Sequence, residues 1–300
     1  TRRIKRRWMI WNRSHCAPMW ALSWTGWIAA ETRGRTVAVA DNFWLACSMT
    51  TATVTPDMVS AAEWQARVDL AACYRLIDHF GMSDLVYTHI TLRVPDTPDR
   101  FLINPFGSLF GDVTASSLVT IDLDGAVIHP EGGRVNPAGF IVHSAIHMKG
   151  DDAHCVLHTH SRAGMTVAAL DSGLMMLNQK AMQFHARVGY HDFEGLALAT
   201  EERERLYEDL AGHKAMILRH HGLLTVGADC AEAFSLMYAL ELSCRVQMDV
   251  LASGQPYRLP PDDLCEHTAQ QLNGFPVPPR EREWPGLLAM LQRVNPGFDQ

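Results

Sequence analysis

The chain has 300 residues, 47% of them hydrophobic and 20% charged, with a formal net charge of −7 at pH 7. That is enough apolar material for one large domain or two small ones, and an acidic balance without a basic, aromatic-interleaved patch in the main body argues against nucleic acid as a partner. No segment reaches the roughly 20 apolar residues of a membrane span, and seven cysteines without CxxC or other regular spacing point to buried free thiols in a reducing, cytoplasmic compartment.

The first 48 residues stand apart. They hold six of the eight Trp, and eight of the 26 Lys/Arg against two of the 33 acids, so the remaining 252 residues carry 18 basic and 31 acidic side chains, net −13. Asn12, Arg13, Ser14, His15 and Pro18 break up the apolar residues and deny the stretch the continuous core of a secretory signal. Residues 1–54 are expected to be a poorly ordered extension or a mis-assigned start, with Met49 or Met58 the true beginning; a basic, Trp-rich membrane-surface segment is the alternative.

From Thr55 the pattern becomes regular, and 55–255 reads as one domain. Thr55, Pro56 and Asp57 make a helix start, and apolar residues recur at helical spacing over 59–81 up to Gly81. Residues 86–94 alternate; 101–107 and 116–125 are short strand candidates, and Asp124-Gly125 followed by AVIHP reads as a hairpin. Asn136-Pro137 precedes a helix over 138–150, CVLHTH (155–160) is a strand, and the SRAGMTVAALDSG that follows opens a helix. RVGYHDFEG (187–195) is a loop or short strand, 201–213 a solvated helix, and 215–227 a strand that turns into another strand. A long amphipathic helix covers 230–254, and in the proline-rich tail, 256–300, PYRLPPDDL (256–264) and FPVPPREREWP (275–285) read as loop-like. No GxGxxG follows a strand and GxxxxGK[ST] is absent, so nucleotide-binding folds have no support.

The chemistry concentrates in two stretches. His158 and His160 lie two residues apart in a strand, so both rings leave the same face and reach one point in space. In LRHHGLL (218–224), His220 and His221 end an apolar strand at a Gly turn. A His-x-His strand plus one distant His makes a three-nitrogen site with open positions, as catalytic zinc and non-haem iron require; three unrelated structural histidines are the bland alternative in a chain with 15 His.

HTHSRAGMTVAAL, the RHHGLL turn and the long helix after it resemble the class II aldolase/adducin superfamily, over about residues 60 to 255. The resemblance implies an α/β/α three-layer sandwich around a mostly antiparallel sheet, often a four-fold symmetric homotetramer. It also implies a divalent metal, Zn2+ first and Fe2+ second, held by His158, His160 and His221. The aldolases of this family carry a glutamate base about nineteen residues before the first metal histidine, just after a serine-bearing phosphate turn. Here those positions hold Gly139, Pro137 and Ala138, so both the carboxylate and the hydroxyls are missing, and the PAGF form and GYHDFEG look closer to the adducin-head branch.

Replacement groups are therefore sought nearby. His143 and His147 sit one and two turns beyond Gly139 on its helical face, with helix packing as the alternative reading. His191, beside Asp192 and Tyr190, forms a charged cluster able to orient a ligand, and Gln179 falls near the family's catalytic tyrosine. His89, Asn104 and Gly107 fall where the family builds its anion pocket. The expected function is a metal-dependent lyase of aldolase or decarboxylase type acting on a small oxygenated carbonyl compound. A non-catalytic adducin-like oligomeric scaffold and a non-haem iron oxygenase on the same fold are the alternatives.

Overall fold

The structure is a computed structural model that describes residues 53–136, 142–147, 153–195 and 201–300. The expectations for residues 1–52, and those for Pro137, Ala138 and Gly139, lie outside the described residues. Eight strands form one sheet in the order β4-β3-β2-β1-β5-β8-β7-β6. They are β1 (His89–Arg93), β2 (Arg100–Ile103), β3 (Val119–Asp122), β4 (Val127–His129), β5 (Cys155–Thr159), β6 (Gly189–His191), β7 (Ala215–Leu218) and β8 (Gly222–Gly227). Every pairing is antiparallel except β6 with β7.

Alternation along the strands sorts side chains into two cores. Ile90, Leu92, Leu102, Cys155, Leu157, Ile217 and Leu223 face α1 (Ala61–His79), α3 (Arg162–Ala168) and α6 (Cys230–Ala252). Phe101, Ile103, Ile121, Val156, Met216, Leu218 and Leu224 face the other way, onto the helical residues 142–147 (α2) and α5 (Glu202–Leu210). Helices on both faces of a mostly antiparallel sheet are the three-layer sandwich expected from the resemblance.

Two local expectations are corrected. Thr55-Pro56-Asp57 opens only a 3-10 turn, and α1 is capped by Ser60, whose hydroxyl accepts from the Glu63 amide at 3.1 Å; a serine cap satisfies an orphan helical amide better than a proline turn upstream. The tail is not loop-like beyond Pro261. It folds into α7 (Asp262–Asn273), α8 (Pro279–Arg282) and α9 (Trp284–Val294), with Pro at the helix starts, where its missing N–H costs nothing. Trp284, Leu291 and Phe298 enter the α1/α6 core, and Arg75 donates to the Asn295 and Pro296 carbonyls.

Candidate metal centre

β1 and β5 are register partners, with His89 directly opposite His158 and Thr91 opposite Val156. His89, Thr91 and His158 therefore all point toward α2, and His160 follows the end of β5. The turn between β7 and β8 brings in His221. His220 in that turn has φ of +56°, and the residue that opens β8 can only be small: a Cβ on Gly222 would lie 2.3 Å from the Thr159 carbonyl oxygen and 3.3 Å from both the His158 and His160 rings. The glycine lets β8 run against the strand end that carries the histidine pair.

One nitrogen from each of His158, His160 and His221 falls within 4.8 Å of the others, and the rings meet pairwise at centroid distances of 4.7 to 4.8 Å. Hydrogen bonds set their tautomers. His158 Nδ1 lies 2.9 Å from the Leu223 carbonyl and His160 Nδ1 lies 3.0 Å from Asp84 Oδ2; both partners only accept, so both Nδ1 atoms carry the proton and donate. The two Nε2 atoms lie 3.0 Å apart. Two imidazole nitrogens at that distance share a cation between them, a proton or a metal ion. Burial, then the neighbouring imidazoles, holds His158 well below the usual histidine range, and burial followed by His160 and His191 brings His221 down to about 4. Three imidazoles converging on one point, two of them with Nδ1 anchored, fit a divalent transition ion.

The anchoring continues outward. Ser161 caps α3 by accepting from the Gly164 amide, and its hydroxyl donates to the buried carboxylate of Glu241, whose other oxygen takes Arg245 Nε at 2.8 Å. α6 thereby grips the residue next to His160. The cap was legible as a serine before a helix; Asp84 and Glu241, 76 residues before His160 and 80 after Ser161, carried no local signal.

Around the histidines opens a cleft of about 500 Å³. Five histidines, Asp84 and Asn136 form its polar part, and Tyr87, Phe106, Val142, Met165 and Phe193 its apolar part; among the described residues it has no Lys or Arg. His191 is nearby, its Nδ1 donating to Asp209 at 2.8 Å and its Nε2 3.5 Å from Glu202. His143 lies buried behind His89, with ring centroids 4.2 Å apart. The remaining expected residues stand elsewhere. Asn104 is buried, accepting from the Tyr74 hydroxyl at 2.8 Å and donating to Pro105; Gly107, at φ of +97°, adjoins the lining residue Phe106; Gln179 stands at the start of α4 (Gln179–Met182). None of these three lines the cleft.

The profile of the class II aldolase and adducin N-terminal domain matches residues 68–248, and the chain belongs to this family. It is similar to an aldolase II superfamily protein from Pseudomonas syringae, with 41% identity and a TM-score of 0.77 over 81% of this chain and 98% of that one. It is also similar to the L-fuculose 1-phosphate aldolase of Glaciozyma antarctica PI12, with 28% identity and a TM-score of 0.69 over 78% and 91%. Alpha-adducin of Rattus norvegicus is 39% identical over 244 residues, 76% of this chain but 33% of adducin's own length.

Proposed function

We propose that the protein is a metal-dependent lyase of aldolase or decarboxylase type, with His158, His160 and His221 as ligands and a small oxygenated carbonyl compound as substrate. The observation that carries this reading is the convergence of one nitrogen from each of His158, His160 and His221 to within 4.8 Å of one another, with the Nδ1 atoms of the first two held by acceptors. A bound Zn2+, with Fe2+ the second choice, would polarise a carbonyl or enolate oxygen. The chain's own residues do the rest: Asp84 and the Leu223 carbonyl orient the ligands, Tyr87, Phe106 and Phe193 shield the cleft from water, and His89 and His191 stand beside the triad. A cleft with no described Lys or Arg in its lining, and Pro137 and Ala138 in place of the family's serines, favours a substrate without a phosphate. In this reading the protein is cytoplasmic and assembles as a homotetramer; the five described cysteines are free and buried, as a reducing compartment allows.

Elemental analysis of the purified protein tests the centre, with close to one zinc per subunit expected. Stoichiometric iron would favour the oxygenase, and a site that cannot be loaded would favour a second reading, the adducin-like scaffold, which the 39% identity to alpha-adducin supports. The substrate class is tested by offering fuculose 1-phosphate to the zinc-loaded protein. No cleavage above background is expected, and robust metal-dependent cleavage would overturn the exclusion of sugar phosphates.

A further inference from the structure

Beside the metal cleft lies a second hollow, of about 540 Å³, that shares Phe193 and His220 with it. Its formally charged lining side chains are Arg219, Asp171 and Asp192. Arg219 is held from three sides. Its guanidinium stacks over the Tyr190 ring with Cζ 4.5 Å from the centroid, Nη1 donates to the Leu170 carbonyl at 2.6 Å, and its backbone amide donates to the His191 carbonyl at 2.8 Å. Tyr190 is itself fixed: its hydroxyl accepts from the Leu174 amide at 3.0 Å and packs where a Cβ on Gly173 would come within 2.5 Å of it. A cation just past the end of α3 favours the helix, and one N–H to Leu170 suffices for that. The Nε–Nη2 edge is left over. Arg187, Arg205, Arg245 and Arg282 each donate to a carboxylate, whereas Arg219 has no such partner among the described residues, Asp171 and Asp192 included.

We infer that Arg219 is a carboxylate-binding residue, and that the carbonyl compound taken by the metal centre carries a carboxylate at its other end. A guanidinium pinned on an aromatic ring keeps its fork in one orientation, so little rotamer freedom is lost when a planar anion docks on it with two parallel hydrogen bonds. His221 follows two residues after Arg219, across the turn where His220 has φ of +56°. That turn sets a metal ligand and the fork on adjoining hollows that meet at Phe193 and His220, where one molecule reaches both. Charge selects carboxylate over phosphate. Asp171 and Asp192 line the same hollow, and a dianion would meet twice the repulsion there that a monoanion does. Their oxygens only accept, which suits hydroxyls on the same ligand. The inference rests on the lyase reading for the carbonyl end of the ligand; the carboxylate end stands on Arg219.

Binding of 4-oxopentanoate, 6-oxoheptanoate and their methyl esters to the full-length chain, followed by NMR titration with and without zinc, tests the two ends separately. At least one acid is expected to bind ~10-fold or more tighter than its ester in both states, on the scale of a hydrogen bond to a charged group. Arg219→Gln should abolish that ratio with zinc content unchanged. Arg219→Lys, which keeps the charge and a donor for Leu170 but not the fork, should fall between. In 15N-arginine wild type the Arg219 Nε–H signal, assigned by its loss in Arg219→Lys, should shift with the acid and not with the ester; this readout serves even where Arg219→Gln does not fold. Equal binding of acid and ester by wild type overturns the inference, as does an acid preference that survives in Arg219→Gln or an Nε–H signal that never moves. Zinc is expected to tighten the oxo acids but not pentanoate. An acid preference that zinc leaves unchanged for every ligand supports the Arg219 assignment and overturns the lyase reading, so the two failures are told apart.

Discussion

The two faces of the β1–β5 ladder use neighbouring residues for opposite purposes. On one face Ile90, Leu92, Cys155 and Leu157 pack against the α1 and α6 side, and their contribution is area removed from water. On the other, His89, Thr91 and His158 are equally buried, at 4%, 2% and 2% exposure, yet polar. Such groups survive burial only where partners are arranged for them, and the partners of Thr91 and His158 come from α2 and β8. The apolar face tolerates any substitution that keeps volume; the polar face depends on which atom donates.

Replacing both His158 and His160 by Ala should break the comparison most completely. Metal content is expected to fall from stoichiometric to near zero and activity with it, while far-ultraviolet circular dichroism stays near native; full metal retention would refute the ligand assignment. Leu157→Ala, on the opposite face of the same strand, is expected to do the reverse. It should cost about 2–5 kcal/mol in urea unfolding, as for other buried leucines, with metal stoichiometry kept in the folded fraction.

Gly222→Ala joins the two effects. Its Cβ would meet a backbone oxygen at 2.3 Å, so β8 or the end of β5 must shift; a loss of about 1–3 kcal/mol together with weakened zinc affinity is expected in a metal titration. Unchanged affinity in the Gly222→Ala protein would show that the strand approach does not set the site.

The smallest effect is on pH dependence. Burial gives His147 a folded-state value of about 3, below the usual 6.5, so the unfolded chain takes up a proton first as pH falls. Stability from this residue is therefore present above about 6.5 and is lost progressively from there down to about 3, at up to about 1.4 kcal/mol per unit. His147→Gln, which cannot titrate, should show a shallower fall in unfolding free energy than wild type as pH drops below the usual 6.5; equal slopes would mean His147 is not held neutral.

Much of this molecule was legible in one dimension. Period-2 and period-3.6 patterns located β1, β5, β7, β8, α1 and α6, because side-chain direction repeats with the backbone, and His158 and His160 declared a shared face by spacing alone. The tail departs from a loop because Pro278, Pro279 and Pro285, breakers inside a helix, are compatible with α8 and α9 at helix starts, and packing of Trp284 and Leu291 against the domain favours the helices. His143 and His147 were visible as residues on one helical face, but not as two rings bonded to one hydroxyl. Their partner Thr91 is 52 and 56 residues away. Sequence by itself determined which groups could ligate, donate or accept; tertiary structure alone decided which did, because a tautomer is set by the atom facing each nitrogen. Here those atoms, the Leu223 and Ala153 carbonyls and the Asp84 carboxylate, come from parts of the chain with no local pattern linking them to the rings they hold.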